Sequence, residues 1–192
     1  MLYWFLKILC FIPYWIMFPT FVKGRKNLPK GKCVFIVNHR SNFDPPLMLN
    51  MFWRTQHTLA KQELFKNKLG AAFFKGMKAI PINREKVEIS TVKQCLGVLK
   101  KGGILTVFPE GTRNTTNKPL GEIKGGAAIF AIKAESPIVP IWIKNKPKLF
   151  RFNRIYVGKP FYITKDQSAE SDNIMRDKLL ELSELIINKN NR

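Results

Sequence analysis

The chain has 192 residues, 45% of them hydrophobic, which predicts one folded domain with a sizeable core rather than a disordered polymer. Lys and Arg outnumber Asp and Glu by 33 to 13, and the net charge of +20 favours nucleic acid, anionic lipid, phosphorylated metabolites or an acidic carrier protein as partners. The cysteines Cys10, Cys33 and Cys95 lie far apart, which argues against a disulfide framework or a zinc site and favours a reducing, cytosolic-side environment.

The N-terminal segment, residues 1–22, is almost wholly apolar, with Lys7 as its only charged side chain. A straight helix of this length would reach about 30 Å, but Pro13 and Pro19 predict a broken helix, since proline removes a backbone donor and clashes with the preceding turn. Four of its aromatic residues are of the types that favour the membrane–water interface: Tyr3, Trp4, Tyr14 and Trp15. We interpret the segment as a hydrophobic membrane anchor that lies in or dips into one leaflet. A full span, a buried helix and a signal peptide are the alternatives.

The rest of the chain, residues 23–192, alternates between apolar runs and amphipathic segments, which predicts an α/β domain with a mainly parallel central sheet flanked by helices. Strands are predicted at residues 33–37, 79–82, 104–108, 138–143 and 155–158. Helices are predicted at residues 44–53, 58–78, 88–101 and 124–134, and near the C-terminus from about residue 174. In parallel sheets, ligands bind beyond the carboxyl ends of the strands, so the loops after the first and third strands are the expected site.

The first of these loops carries the sequence N-H-R-S-N-F-D at residues 38–44. His39 is the natural general base, because the ordinary pKa of histidine is about 6.5. Asp44 would hold one ring nitrogen of His39 if the loop curls back over the next helix, and the two would form a His–Asp dyad. The alternatives are that Asp44 is only a helix N-cap and that His39 bonds to backbone. With no G-x-S-x-G sequence and no cysteine beside a histidine, the attacking group is expected to be a substrate hydroxyl.

The second loop carries the sequence F-P-E-G-T-R at residues 108–113. Gly111 permits a tight turn whose backbone N–H groups can bind an anion, and Arg113 offers a bidentate contact to phosphate. Arg84 ends a neighbouring predicted strand and can supply a second cation, while Glu110 can fix an arginine or a backbone turn. The alternative is an ordinary turn with a surface arginine.

Together these blocks resemble the glycerolipid acyltransferase family, which includes the 1-acylglycerol-3-phosphate acyltransferases. The family shares N-H-x-x-x-x-D, here from Asn38 to Asp44, a later strand that ends in arginine, here Arg84, and F-P-E-G-T-R, intact at residues 108–113. A K-x-G block and a strand with V-P follow in the family order, at residues 124–126 and 139–141. The resemblance extends over residues 25–160.

The resemblance implies a glycerol-3-phosphate acyltransferase-like fold. It also implies transfer of an acyl group from acyl-ACP or acyl-CoA to the free sn-2 hydroxyl of 1-acylglycerol-3-phosphate, which gives phosphatidic acid. His39 would deprotonate the acceptor hydroxyl, and Asp44 would orient His39. The residues that would bind the acceptor and its phosphate and organise the site are Arg84, Glu110, Gly111, Thr112 and Arg113. Backbone N–H groups near Gly111 are candidates for the oxyanion site, and neither a metal nor another cofactor is implied.

These expectations agree with the composition, because a phosphorylated lysophospholipid acceptor, an anionic membrane surface and an acidic acyl carrier all suit a net charge of +20. We expect the protein to associate with the cytoplasmic face of the cell membrane. The alternatives are another lysolipid acceptor within the same family, or a non-catalytic basic protein that binds membranes or nucleic acid. No nucleic-acid partner is expected, because the sequence contains no helix-turn-helix, zinc-finger or RNA-binding pattern.

Overall fold

A seven-stranded sheet forms the centre of the protein in a computed structural model, which describes residues 2–83, 88–124 and 126–190. The sheet order is β1-β7-β6-β2-β5-β3-β4, and the strands are β1 (Thr20–Lys23), β2 (Cys33–Val37), β3 (Gln56–Lys61), β4 (Ala79–Ile82), β5 (Ile104–Val107), β6 (Ile138–Ile143) and β7 (Asn153–Val157). Five of the six strand pairings are parallel, and only β6 and β7 run antiparallel. The predicted mainly parallel sheet is therefore confirmed.

Helices cover both faces of this sheet because the central strand β2 is fully buried and apolar on both sides. The α-helices of the described residues are α1 (Leu2–Met17), α2 (Asp44–Met51), α3 (Lys68–Gly76), α4 (Ile89–Lys100), α5 (Gly126–Lys133) and α6 (Ser171–Asn190). Phe35 belongs to the core cluster shared with α1 and α2, whereas Ile36 belongs to the cluster shared with α4, α5 and α6. The alternation of side chains along β2 thus divides the core into two layers.

The N-terminal segment differs from the expected broken helix, because α1 continues through Pro13, which lies on its exposed side. Packing of the opposite side offsets the hydrogen bond that the proline removes. Lys7 is fully buried there and its ammonium group donates to the carbonyl of Phe52, while the hydroxyl of Tyr3 donates to the carbonyl of Arg54 at 3.4 Å. These contacts fasten α1 to the segment between α2 and β3.

The outer side of α1 is apolar and open to solvent, with exposed side chains at Leu2, Trp4, Phe5, Ile8, Leu9, Ile12, Trp15, Ile16 and Met17. No α-helix in the described residues combines the length and the apolarity that crossing a bilayer requires. The apolar run of the sequence then ends in a strand, since β1 pairs in parallel with β7 at the edge of the sheet. The sequence suggested that the anchor ends at residue 22 and that the domain begins at residue 23. Both residues belong to β1.

The helix predicted over residues 58–78 is wrong in its first part, which forms β3 and a short 3₁₀-helix before α3 begins. The inward-facing residues of β3, Gln56 and Thr58, are polar, and hydrogen bonds satisfy the side chain of Gln56. The side-chain amide of Gln56 donates to the carbonyl of Met48 at 2.9 Å, and its carbonyl oxygen accepts from the hydroxyl of Thr106 at 3.1 Å. A buried strand of this kind lacks the apolar run by which the other strands are recognised.

Candidate active site

The loop after β2 folds His39 against Asp44. Nδ1 of His39 lies 2.9 Å from Oδ2 of Asp44, and the same oxygen accepts the backbone N–H groups of Arg40 and Ser41, each at 2.7 Å. Asp44 is the first residue of α2, and Phe43 holds the N-cap position. The N-cap role suggested for Asp44 is therefore wrong, because its carboxylate turns back into the loop and is engaged by the donors there.

The dyad is withdrawn from water, with His39 8% and Asp44 1% exposed. Oδ1 of Asp44 has no hydrogen-bond partner in the described part of the chain, so the three contacts converge on Oδ2. Because the ionised carboxylate accepts a proton donor at Nδ1, the basic nitrogen of the ring is Nε2. The ring of Phe108 lies 4.4 Å from that of His39, centroid to centroid, and restricts its rotation. This is the geometry of a general base oriented by a carboxylate.

Tyr14 of α1 supports the same loop from outside. Its hydroxyl donates to the carbonyl of Phe43 at 2.8 Å, directly before Asp44, and the ring of Phe18 lies 4.8 Å from that of Phe43. Burial raises the pKa of Tyr14, and the negative charge of Asp44 raises it further. The hydroxyl therefore stays protonated and remains a donor to the loop.

Glu110 joins the two sequence motifs. Its Oε1 accepts the backbone N–H of His39 at 2.6 Å, and its Oε2 accepts that of Gly121 at 2.7 Å. Burial raises the pKa of Glu110, although the hydrogen bonds from these two residues act in the opposite direction. Glu110 was expected to bind substrate or to organise the site. Because backbone donors occupy both of its oxygens, the structure favours the organising role.

The turn of the second motif is left-handed at Gly111, with φ of 66°. The N–H of Gly111 donates to the carbonyl of Phe108 at 3.0 Å, so this particular N–H is not available to an oxyanion. Thr112 and Arg113 are exposed, and their N–H groups form no backbone hydrogen bond within the described residues. Asn114 donates its N–H to the carbonyl of His39 at 2.7 Å, which places Arg113 one residue from that contact. Arg84 lies outside the described residues.

Two asparagines that had no separate role in the sequence analysis fix the ends of these loops. Nδ2 of Asn38 donates to the carbonyl of Ile143 at 3.0 Å, and its Oδ1 accepts the N–H of the same residue at 2.7 Å. Oδ1 of Asn114 accepts the N–H of Thr116 at 2.9 Å. An asparagine side chain offers both a donor and an acceptor, so it can replace a peptide group where a strand ends. For Asn38, the position directly after an apolar run is the available sequence signal.

An open cavity of about 620 Å³ lies at the carboxyl ends of β3 and β4. Three of its lining residues are lysines, Lys61, Lys66 and Lys75, and Lys61 forms an ion pair of 2.9 Å with Glu63. The balance of charge suits an anionic ligand. Over residues 2–83, 88–124 and 126–190, no group of three or more His, Cys, Asp or Glu side chains is arranged to hold a metal ion.

The family model described as Acyltransferase matches residues 20–144, a segment that contains both loops of the site. The chain belongs to this acyltransferase family. A 1-acyl-sn-glycerol-3-phosphate acyltransferase of Bacillus subtilis is 40% identical over 111 residues, which are 55% of this chain and 54% of the relative. A probable enzyme of the same name from Mycoplasma pneumoniae is 34% identical over 140 residues, 64% of this chain and 51% of the relative.

The fold is also that of a solved acyltransferase. The crystal structure of the 1-acyl-sn-glycerophosphate (LPA) acyltransferase PlsC from Thermotoga maritima matches with a TM-score of 0.65 and 23% identity. The match covers 85% of this chain and 71% of that one. The chain spans about half the length of the curated acyltransferases that it matches.

Proposed function

We propose that the chain is an O-acyltransferase that moves a fatty acyl group from an acyl thioester to the free sn-2 hydroxyl of 1-acylglycerol-3-phosphate, forming phosphatidic acid. The observation that carries the proposal is the buried His39–Asp44 dyad without an enzyme nucleophile. In the described part of the chain, no serine, threonine or cysteine side chain forms a hydrogen bond with His39. The names of the similar acyltransferases support the acceptor, 1-acylglycerol-3-phosphate.

The reaction follows from the dyad. Nε2 of His39 takes the proton from the acceptor hydroxyl while the hydroxyl oxygen attacks the thioester carbonyl carbon. Asp44 stabilises the imidazolium that forms, as the hydrogen bond of 2.9 Å between the two side chains allows. Collapse of the tetrahedral intermediate breaks the carbon–sulfur bond, and the leaving thiolate takes the proton back from Nε2. The products are the ester and a free thiol, and a base of this kind typically contributes about 10²–10⁴-fold in rate.

The charge around the site supports a phosphorylated acceptor. Arg113 is exposed beside the histidine loop and offers a guanidinium group to the phosphate. The lysine-lined cavity at the ends of β3 and β4 adds positive charge at the same edge of the sheet. We retain Arg84 and Thr112 as predicted acceptor contacts, with Gly111 as the residue that shapes the turn.

The exposed apolar side of α1 and the net charge of +20 support association with an anionic membrane, which we place at the cytoplasmic face. Such a surface would deliver the lipid acceptor directly to the site. Acyl-CoA and acyl carrier protein are both anionic, so both suit this chain as donors.

The proposal is tested by assaying the purified protein with both donors against a panel of lysolipids. We expect the highest rate with 1-acylglycerol-3-phosphate, and preference for a lysolipid without a phosphomonoester would contradict the proposed acceptor. His39→Ala is expected to lower the rate by at least about 100-fold while thermal stability stays close to wild type. His57→Ala, at the other histidine of the chain, is the matched control. Substantial activity in His39→Ala would refute the general-base assignment.

A further inference from the structure

The connection between β6 and β7 carries a group of exposed apolar side chains that the catalytic site does not use. We call residues 144–152 the aromatic loop. Leu149, Phe150 and Phe152 are 49%, 72% and 69% exposed, an unusual concentration of apolar surface for a short connection. Phe21 of β1 is also exposed, and its ring stacks on that of Phe152 with 5.4 Å between centroids. The loop and β1 thus present one aromatic surface.

Positive charge surrounds this surface without any negative charge in the neighbouring sequence. From Ser136 to Lys165 the chain contains no Asp or Glu, whereas the aromatic loop itself contains Lys144, Lys146, Lys148 and Arg151. Among the described residues, the salt bridges lie elsewhere and none involves the loop. Exposed rings among unpaired cations are the composition of segments that insert between anionic lipid headgroups.

The backbone holds the tip of the loop outward. Phe150 has a left-handed conformation with φ of 54°, which is uncommon for a residue other than glycine or asparagine. Its N–H donates to the carbonyl of Met17 at 2.6 Å, at the C-terminal end of α1. This bond stabilises the unfavourable conformation, and it joins the loop to the exposed apolar side of α1.

The loop also begins at the catalytic edge of the sheet. Ile143, directly before the loop, exchanges two hydrogen bonds with the side chain of Asn38, the neighbour of His39. Because β2 and β6 are parallel, the aromatic loop and the histidine loop leave the sheet at the same edge. A surface that contacts both α1 and the aromatic loop therefore lies at the same edge of the sheet as the histidine loop.

We propose that the aromatic loop is a second membrane contact, which inserts Phe150 and Phe152 between the headgroups of an anionic bilayer. Together with α1 it turns the carboxyl edge of the sheet towards the lipid. A protein held at the membrane surface by one helix can still rotate about the axis of that helix. A second contact, through the loop attached to the end of the helix, prevents this rotation. The inference rests on the proposed membrane association of α1 and adds the orientation of the site.

The test compares binding to vesicles of phosphatidylcholine alone and of phosphatidylcholine with about one-third phosphatidylglycerol, measured by flotation without acyl transfer. The variant Phe150→Asn with Phe152→Ser removes both rings, and asparagine tolerates the left-handed backbone at residue 150. We expect the partition coefficient on anionic vesicles to fall about tenfold for each ring, since each contributes apolar area to the interface. The single variant Phe150→Asn, which changes the fold least, should show about half of the logarithmic effect.

Tyr162→Ser is the matched control, because Tyr162 is 66% exposed and follows Phe161, which pairs with Ile138 at the opposite end of β6. This control should bind vesicles like wild type. Lys146→Gln with Lys148→Gln should weaken binding to anionic vesicles about fivefold per lysine and leave binding to phosphatidylcholine unchanged.

Equal partitioning of wild type and the Phe150→Asn/Phe152→Ser variant would overturn the proposal and leave the acyltransferase function intact. Failure of wild type itself to bind vesicles would instead contradict the membrane association on which the inference rests. An acyl-transfer assay in detergent micelles separates both results from loss of the catalytic function, because the loop variant is expected to keep its activity there.

Discussion

Replacing Asp44 with asparagine tests the dyad most directly, because it removes the charge and keeps the shape. Oδ2 accepts three donors in the wild type, whereas Oδ1 is buried without a partner among the described residues. If the asparagine oxygen takes the place of Oδ2, its NH₂ group takes the place of Oδ1, where no described residue offers an acceptor. If the amide is flipped, its NH₂ group faces three donors. Either arrangement leaves buried polar groups unsatisfied, at a cost of about 1–3 kcal/mol in folding stability.

The effect on rate follows from the lost charge. In the proposed mechanism His39 becomes positive in the transition state, with its charge centred about 4 Å from that of the carboxylate, and such a pair interacts with about 4 kcal/mol at an effective dielectric constant of 20. Since 1.36 kcal/mol corresponds to tenfold in rate, Asp44→Asn should lower kcat by about 10³-fold if the full interaction is lost.

The assay measures kcat at saturating acceptor and donor, with urea unfolding of the same samples. Asp166→Asn makes the same charge change at an exposed position and should leave both quantities near wild type. If Asp44→Asn keeps more than a tenth of the wild-type kcat, the charge of Asp44 is not what stabilises the imidazolium, and the reasoning fails.

Three further substitutions probe separate parts of the structure. Glu110→Ala removes the acceptor of the buried N–H of His39 and of the partly buried N–H of Gly121. Urea unfolding should show a loss of about 1–3 kcal/mol for the buried donor and less for the other; a smaller total loss would mean that water replaces the carboxylate. Arg113→Ala should raise KM for the acceptor about 10–100-fold, as loss of a charged hydrogen bond predicts, and KM for the donor much less; equal effects would contradict a phosphate contact. Burial lowers the pKa of Lys7 from 10.5 to about 8. Between these two pH values the unfolded chain binds more protons than the folded chain, so the stability of the wild type should rise with pH there. Lys7→Met should lack this rise from pH 8 upwards, and parallel stability curves for the two proteins would show that Lys7 titrates normally.

The dyad was accessible to sequence reasoning because its geometry is local. His39 follows an apolar strand, and Asp44 begins the next helix directly before two prolines, so the chain must turn back within a few residues. The detail of that turn was not accessible. The N-cap interpretation failed because the N–H groups of Arg40 and Ser41 compete for the same carboxylate, and residue type alone does not decide which donors reach it.

Local sequence patterns did not predict the contacts between residues that lie far apart in the chain. The bond from the N–H of His39 to Glu110 joins residues 71 positions apart, and the pairing of β1 with β7 joins still more distant segments. β3 was missed because Gln56 is polar and buried, and its burial is favourable only with its partners Met48 and Thr106, which lie outside the strand. Arg84 is a sequence prediction whose position the described residues do not include.

The attachment of α1 has a practical consequence for producing the protein in soluble form. Deleting a hydrophobic N-terminal helix is a common first choice. In this protein the deletion would remove two contacts, from the Tyr14 hydroxyl to the loop beside Asp44 and from the Lys7 ammonium group to the carbonyl of Phe52. Truncation should therefore yield an aggregation-prone, inactive chain. Polar substitutions confined to the exposed residues Ile8, Ile12 and Trp15 would reduce the exposed apolar area of α1 and keep the contacts of Tyr14 and Lys7.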